Sequence, residues 1–288
     1  MSPDSRDPLE IPLDRLPPGF AEALDREPER VVEARPASTI VLLRDGPTGM
    51  ETLLLKRTRS AGFVPGAYVF PGGRVDEADE DPELDPFLVG LTAEQAAERL
   101  RLSDPRVGLG YYVAALREAF EETGILVGTN ATGDPPATAA ADPAVDAVRD
   151  DLLEDRIGFG EALRRMECTL DSHRVAYIAH WITPVVEPRR YDTRFFAAAV
   201  PSDTVPIVDP REMTDAVWVT PSAALERQRA GSLPMIFPTI KTLEQLAVFD
   251  TVATALGELR GRPVPAILPR LVRTATGVTL SIPEIVEP

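Results

Sequence analysis

The chain has 288 residues, 44% of them hydrophobic, which suits one or two globular domains around a buried core. Its 46 acidic residues outnumber 30 basic ones and leave a formal charge of −16, so no nucleic-acid partner is expected, because such binding depends on clustered Lys and Arg. No apolar run approaches a membrane span, the single Cys168 cannot form an internal disulfide, and two histidines, His173 and His180, cannot build a zinc cluster.

Residues 1–36 carry seven prolines among many charges and read as an N-terminal arm, with one short helix near 20–24. Their acidic start lacks the basic and hydrophobic regions of a signal peptide, so a soluble, cytoplasmic protein with no membrane partner is expected. Only Lys56 and Lys241 are lysines, as in a GC-rich, bacterial genome. The aliphatic runs 38–44 (STIVLLR) and 51–56 (ETLLLK) predict a hairpin with a five- or six-residue loop, and 68–70 predicts a short strand that delivers Pro71, Gly72 and Gly73. An acidic insert, 80–108, follows, with Thr92 and Gln95 spaced as a capping box over a helix from 93 to 102.

The main helix begins beyond Pro105 and is stopped by Gly124. Residues 125–127 read as a strand, and 128–143 as a low-complexity, mobile loop. Helices are predicted at 144–156 and 160–168, strands at 175–184 and 195–200, then a strand at 215–220 leading through Pro221 into a helix. The longest helix is predicted at 238–259, where Leu243, Leu246, Phe249, Val252, Leu256 and Leu259 form a stripe suited to a core or a homodimer interface. A tail, 261–288, contains a terminal hairpin, and the main domain spans 37–260.

The chemistry concentrates in two stretches, 70–79 (FPGGRVDEAD) and 115–125 (ALREAFEETGI). On a helix at about 100° per residue, Glu118, Glu121 and Glu122 share an arc of roughly 100°, and Val113, Leu116 and Phe120 oppose them. Like charges at these spacings each cost about 0.2–0.5 kcal/mol, a cost that a divalent cation reverses. The face is therefore either solvated or a site for Mg²⁺ or Mn²⁺. Arg57, Arg59 and Arg74 flank the glycine turn as candidate substrate contacts, and Arg189, Arg190 and Arg194 either clamp phosphates or pair with surface acids. Tyr68 either stacks on a base or packs in the sheet. His173 and His180 read as structural, and Cys168 as a small apolar residue.

These residues resemble the Nudix hydrolases, whose box joins a glycine and a glutamate to R-E-x-x-E-E-x-G. Arg117, Glu118, Glu121, Glu122 and Gly124 match the second half; Asp79 stands where the first half has Glu. In this sequence 37 residues, rather than seven, separate Asp79 from Arg117. A peroxisomal coenzyme A diphosphatase branch of the family carries such an insert, and the likeness extends to 62–79, 181–184 (WITP), 189–196 (RRYDTRFF) and 218–225 (WVTPSAAL). The coenzyme A signature fits at Leu53, Leu54, Arg57, Gly66 and 70–73 but has Gly62 in place of an arginine. The resemblance implies an α/β (α+β) fold, a Nudix-type α/β/α sandwich with a mixed sheet, plus extra helices and a C-terminal hairpin.

It further implies hydrolysis of a small-molecule nucleoside diphosphate derivative, with coenzyme A or acyl-coenzyme A preferred and NADH, ADP-ribose or a nucleotide sugar as alternatives. The Gly72 carbonyl, Glu121 and Glu122 would hold Mg²⁺ or Mn²⁺, Arg117 would orient them, and Glu118 would be ligand or general base. Asp215 or Glu212 would supply a distal carboxylate. A Nudix-fold ligand sensor without turnover is the rival from another class.

Overall fold

A computed structural model of the protein describes residues 11–12, 31–59 and 64–282. The helix expected near 20–24, and Gly62, lie outside these residues. The strands are β1 (Ile11–Pro12), β2 (Arg35–Gly46), β3 (Gly49–Arg57), β4 (Tyr68–Val69), β5 (Gly72–Arg74), β6 (Leu88–Val89) and β7 (Thr129–Asn130). They continue with β8 (Cys168–Asp171), β9 (Val175–Ile182), β10 (Tyr191–Ala199), β11 (Met213–Val219), β12 (Ala266–Ile267), β13 (Arg270–Arg273) and β14 (Gly277–Ser281). The helices are α1 (Ala93–Leu100), α2 (Pro105–Thr123), α3 (Pro143–Leu153), α4 (Phe159–Arg165), α5 (Pro221–Arg229), α6 (Phe237–Leu246) and α7 (Val252–Leu259). None is long and apolar enough to cross a membrane.

The main sheet runs β11-β3-β2-β10-β9-β12 and is mixed, because β10 lies parallel to β2 and β12 parallel to β9 while the other neighbours are antiparallel. Side chains alternate across its two faces. Ile40, Leu42, Leu53, Leu55 and Phe196 pack with α2 on one face. Val41, Leu43, Leu54, Phe195 and Ala197 pack with α6 and α7 on the other. Each fully buried Leu or Ile contributes about 1.5–3 kcal/mol, so both faces of the central strands are firmly held. The result is the α/β/α sandwich, with β13 and β14 as the C-terminal hairpin and β1 added to its edge.

The hairpin of β2 and β3 positions the site. Its strands pair only from Leu43–Thr52 to Gly46–Gly49, then part. Into the gap enter β4, paired with the end of β3, and β5, paired with the start of β2. The Ile40 amide bonds the Pro71 carbonyl at 2.9 Å and fixes the wedge.

The insert folds outward from Asp79 as 3-10 turns at Glu77–Glu80 and Pro82–Phe87, then β6 and α1. The Thr92–Gln95 capping box forms as predicted and starts α1. Ala97 meets α2 at Gly108, where a Cβ would overlap the Ala97 backbone, so the two helices touch closely. Asp104 then caps α2, accepting from the Arg106 amide at 2.9 Å.

Several expectations are corrected. The hairpin turn is two residues, Pro47 and Thr48, because the ladder continues to Gly46–Gly49 and the Arg44–Glu51 ion pair spans it. Residues 125–127 are buried but unpaired. The helix at 160–168 ends at Arg165, and left-handed Glu167 turns the chain so that buried Cys168 opens β8. The helix at 238–259 is two, α6 and α7, because Asp45 caps the Val252 amide at 2.9 Å and Thr251 caps Thr254. The leucine stripe still packs on the sheet within the chain, and the longest helix is α2.

Candidate active site

The glycine turn and the last turn of α2 face each other. A Cβ on Gly72 would overlap the Ser38 carbonyl and Thr39, and a Cβ on Gly73 would occupy the place of the Glu118 carboxylate. Two glycines let strand, turn and helix close to this distance. Gly124, left-handed at φ 68°, ends the helix with its amide on the Phe120 carbonyl at 2.8 Å.

Arg117 is the centre of the cluster. Its Nε and one terminal nitrogen bind both oxygens of Asp79 at 2.7 and 3.0 Å, and the other terminal nitrogen binds Glu118 and Glu121 at 2.9 and 2.8 Å. It also donates to the Arg74 carbonyl at 3.0 Å. Asp79, only 1% exposed at its side chain, accepts from the Asp76 amide as well. The aspartate in place of glutamate thus ties the first half of the box to the second across the insert.

Glu122 stands apart from this guanidinium. It is 5% exposed and accepts from the Gly72 amide at 3.0 Å. Burial raises its pKa well above the ordinary glutamate value, and the Glu118 charge adds to the effect. Burial likewise pushes Glu118 up to about 7 against the opposing pull of Arg117, and Glu121 is raised for the same reason. Three acids in one helical turn are therefore held in surroundings that penalise their charged forms.

That penalty is what a divalent cation relieves, and the donors are the hard oxygens that such ions prefer. Among the described residues, however, no three His, Cys, Asp or Glu side chains converge into a ready-made cage. Arg117 draws Glu118 and Glu121 toward itself, and Glu122 turns to the Gly72 amide rather than joining a Gly72 carbonyl. The donor chemistry fits a cation whose remaining positions come from water and substrate phosphate oxygens.

The predicted arginines divide. Arg57 ends β3 beside the acids: its charge acts on Glu122, and its buried Nε has no hydrogen-bond partner. Arg59 and Arg74 are exposed near the turn. Arg189 is exposed at the start of the basic stretch. Arg190 and Arg194 are turned to structural partners instead of a substrate. Arg190 donates to the carbonyls of Thr183 and Val32 at 3.0 and 2.6 Å. Arg194, 3% exposed, binds Asp192 at 2.9 Å over the Tyr111 ring. On β10 it alternates with Phe195, so it points into the sheet–helix interface.

His180 shares Asp192 at 2.6 Å and is structural, as expected. Tyr68 packs in the sheet and donates to Asp215 at 3.0 Å, which leaves Glu212, whose charge acts on Glu122, as the distal acid nearest the cluster. Sequence reasoning missed Arg149 on α3. Only 3% exposed, it donates to the Phe120 and Glu121 carbonyls at 3.1 and 2.9 Å and so closes the C-terminal end of α2. Its one sequence signal is a cation on a helix otherwise rich in aspartate.

Residues 31–246 match the family model described as the NUDT19 Nudix domain. The human acyl-coenzyme A diphosphatase NUDT19 is 27% identical over 283 residues, covering 87% of this chain and 76% of that protein. The same enzyme from Gallus gallus is 30% identical over 242 residues, covering 72% of this chain; the match spans 64% of that protein, less than two thirds of its length. Among solved structures, a Nudix hydrolase from Alicyclobacillus acidocaldarius superposes with a TM-score of 0.66 at 28% identity, covering 81% of this chain and all of the other. The box residues stand on the elements that the fold brings together, the glycine turn and the end of α2, and the chain belongs to the Nudix hydrolase family, with a Nudix domain of the NUDT19 type.

Proposed function

We propose that the chain is a divalent-cation-dependent diphosphatase that hydrolyses coenzyme A or its acyl derivatives to adenosine 3′,5′-bisphosphate and phosphopantetheine species. The observation that carries this reading is the closed Arg117 network, which gathers Asp79, Glu118 and Glu121 round one guanidinium with Glu122 behind the glycine turn. The substrate class follows the names of the NUDT19 relatives.

Glu118, Glu121 and Glu122 would hold Mg²⁺ or Mn²⁺, which supplies positive charge to the diphosphate oxygens and acidifies the attacking water. Arg117 holds Glu118 and Glu121 in register on the helix, and Asp79 holds Arg117. Where Glu118 acts as the base rather than as a ligand, its carboxylate oxygen accepts the proton from water, and burial, which pushes it up to about 7, suits it to that task. Arg57, with an unpartnered Nε at the edge of the cluster, is suited to bind a phosphate oxygen.

The test is a substrate panel of coenzyme A, acyl-coenzyme A, NADH, ADP-ribose and nucleotide sugars with Mg²⁺ or Mn²⁺, read by product mass. Adenosine 3′,5′-bisphosphate from the coenzyme A substrates is expected. AMP from NADH, with coenzyme A untouched, would overturn the substrate assignment and leave the reaction class standing.

A further inference from the structure

A second basic feature lies away from the carboxylates. Between the insert helix α1, strand β9 and the segment after α7 is a cavity of about 440 Å³, lined by Arg99, Arg101, Arg260, Arg262, Tyr112 and Tyr177 among others. In a chain of net charge −16, four arginines at one cavity make a local reversal of the surrounding field. Arg262 pairs with Glu258 at 3.0 Å, whereas Arg99, Arg101 and Arg260 form no ion pair among the described residues. All three have exposed side chains at the rim, so their guanidinium groups are open to a ligand.

The floor is rigid and polar at one point. Tyr112 and Tyr177 both pack on Phe196, with ring centroids 4.5 and 5.7 Å away. Tyr112 is 2% exposed, and its hydroxyl makes no hydrogen bond of ordinary geometry. Burial raises its pKa, and the Arg99 guanidinium, close enough to donate to the phenolic oxygen, pulls the other way by its charge and that hydrogen bond. Arg99 can only donate to the phenolic oxygen, so the buried hydroxyl proton still lacks an acceptor, which a ligand oxygen would supply.

We propose that this cavity is a second anion site that binds a phosphorylated small molecule, with its phosphate oxygens held by Arg99, Arg101 and Arg260 and the Tyr112 hydroxyl donating from the floor. Guanidinium groups meet phosphate through paired N–H bonds, and a diphosphate matches three unneutralised cations better than a single carboxylate does. The site is separate from the reaction centre. Tyr112 precedes Glu122 by ten residues on α2, about 15 Å at the helical rise. It is built largely from the insert and the chain after the sandwich, so occupancy would bear on α2 from the end opposite the carboxylates. The proposal stands whether or not the chain hydrolyses coenzyme A.

Calorimetric titration with inorganic pyrophosphate in the presence of EDTA tests it, because the chelator removes any cation from the carboxylates. Saturable binding is expected for the wild type. Affinity should fall at least ten-fold in the variant carrying Arg99→Ala, Arg101→Ala and Arg260→Ala, and several-fold in Tyr112→Phe, which keeps the aromatic floor. In Arg57→Ala and Glu122→Gln it should be unchanged. No saturable binding to the wild type would overturn the proposal. So would a loss confined to Arg57→Ala or Glu122→Gln, which would assign the pyrophosphate to the reaction centre.

Discussion

At the scale of single residues, the cluster is organised by arginines rather than by its acids. Arg117 uses its fork fully, with Asp79 on one edge and Glu118 and Glu121 on the other. Lysine could not replace it, because an ammonium is a point charge without that planar geometry. Arg149 works from behind, donating to the Glu121 carbonyl and sharing the Phe120 carbonyl with the Gly124 amide at the end of α2. Arg149→Ala leaves the buried Glu121 carbonyl without this donor and the Phe120 carbonyl with the Gly124 amide alone, and should cost about 1–3 kcal/mol of stability by chemical denaturation. Arg149→Lys should recover part of that loss. An Arg149→Ala protein as stable as the wild type would show that water takes over this capping.

At the scale of elements, the parted hairpin of β2 and β3 and the glycine wedge between its strands decide how near the helix approaches. Gly73→Ala puts a methyl where Glu118 lies, and the atom in the way is the free end of a flexible side chain. The fold should therefore tolerate the change. The acid would be displaced, with turnover reduced about 10- to 100-fold, the range for altered support of a metal ligand. Thermal melting together with kinetics separates the two effects. The carboxylate arc and the glycine turn were legible in the sequence because helical period and close approach leave local marks. Arg149 was not, because its partners lie 28 and 29 residues away and only folding brings them together. For Arg190 and Arg194 the basic turn leaves a phosphate clamp and pairing with acids equally open; β10 begins at Tyr191, and strand alternation sends Arg194 inward to Asp192. The break between α6 and α7 was hidden for the same reason: Asp45, from the distant hairpin, supplies the cap.

At the scale of the whole molecule, the insert lengthens α2 without separating the halves of the box, because the Asp79–Arg117 pair spans its two ends. The raised acids link stability to pH. For a carboxyl whose folded pKa lies above its unfolded value, the folded state binds more protons between the two values, so stability is lost as pH rises through the folded value. For Glu118 that window runs from 4.5 to about 7, and Glu121 and Glu122 act in the same direction. With EDTA present, the melting temperature should fall across this window, less steeply in Glu122→Gln, and Mn²⁺ should restore it most at the upper end. An identical pH profile for the variant and the wild type would contradict the assigned burial penalty. The most direct test of the central claim is turnover of acyl-coenzyme A by Glu122→Gln with saturating Mg²⁺. The account predicts a fall beyond the roughly 100-fold limit typical of outer-shell changes, with the fold retained. Turnover equal to that of the wild type would contradict the role given to these carboxylates.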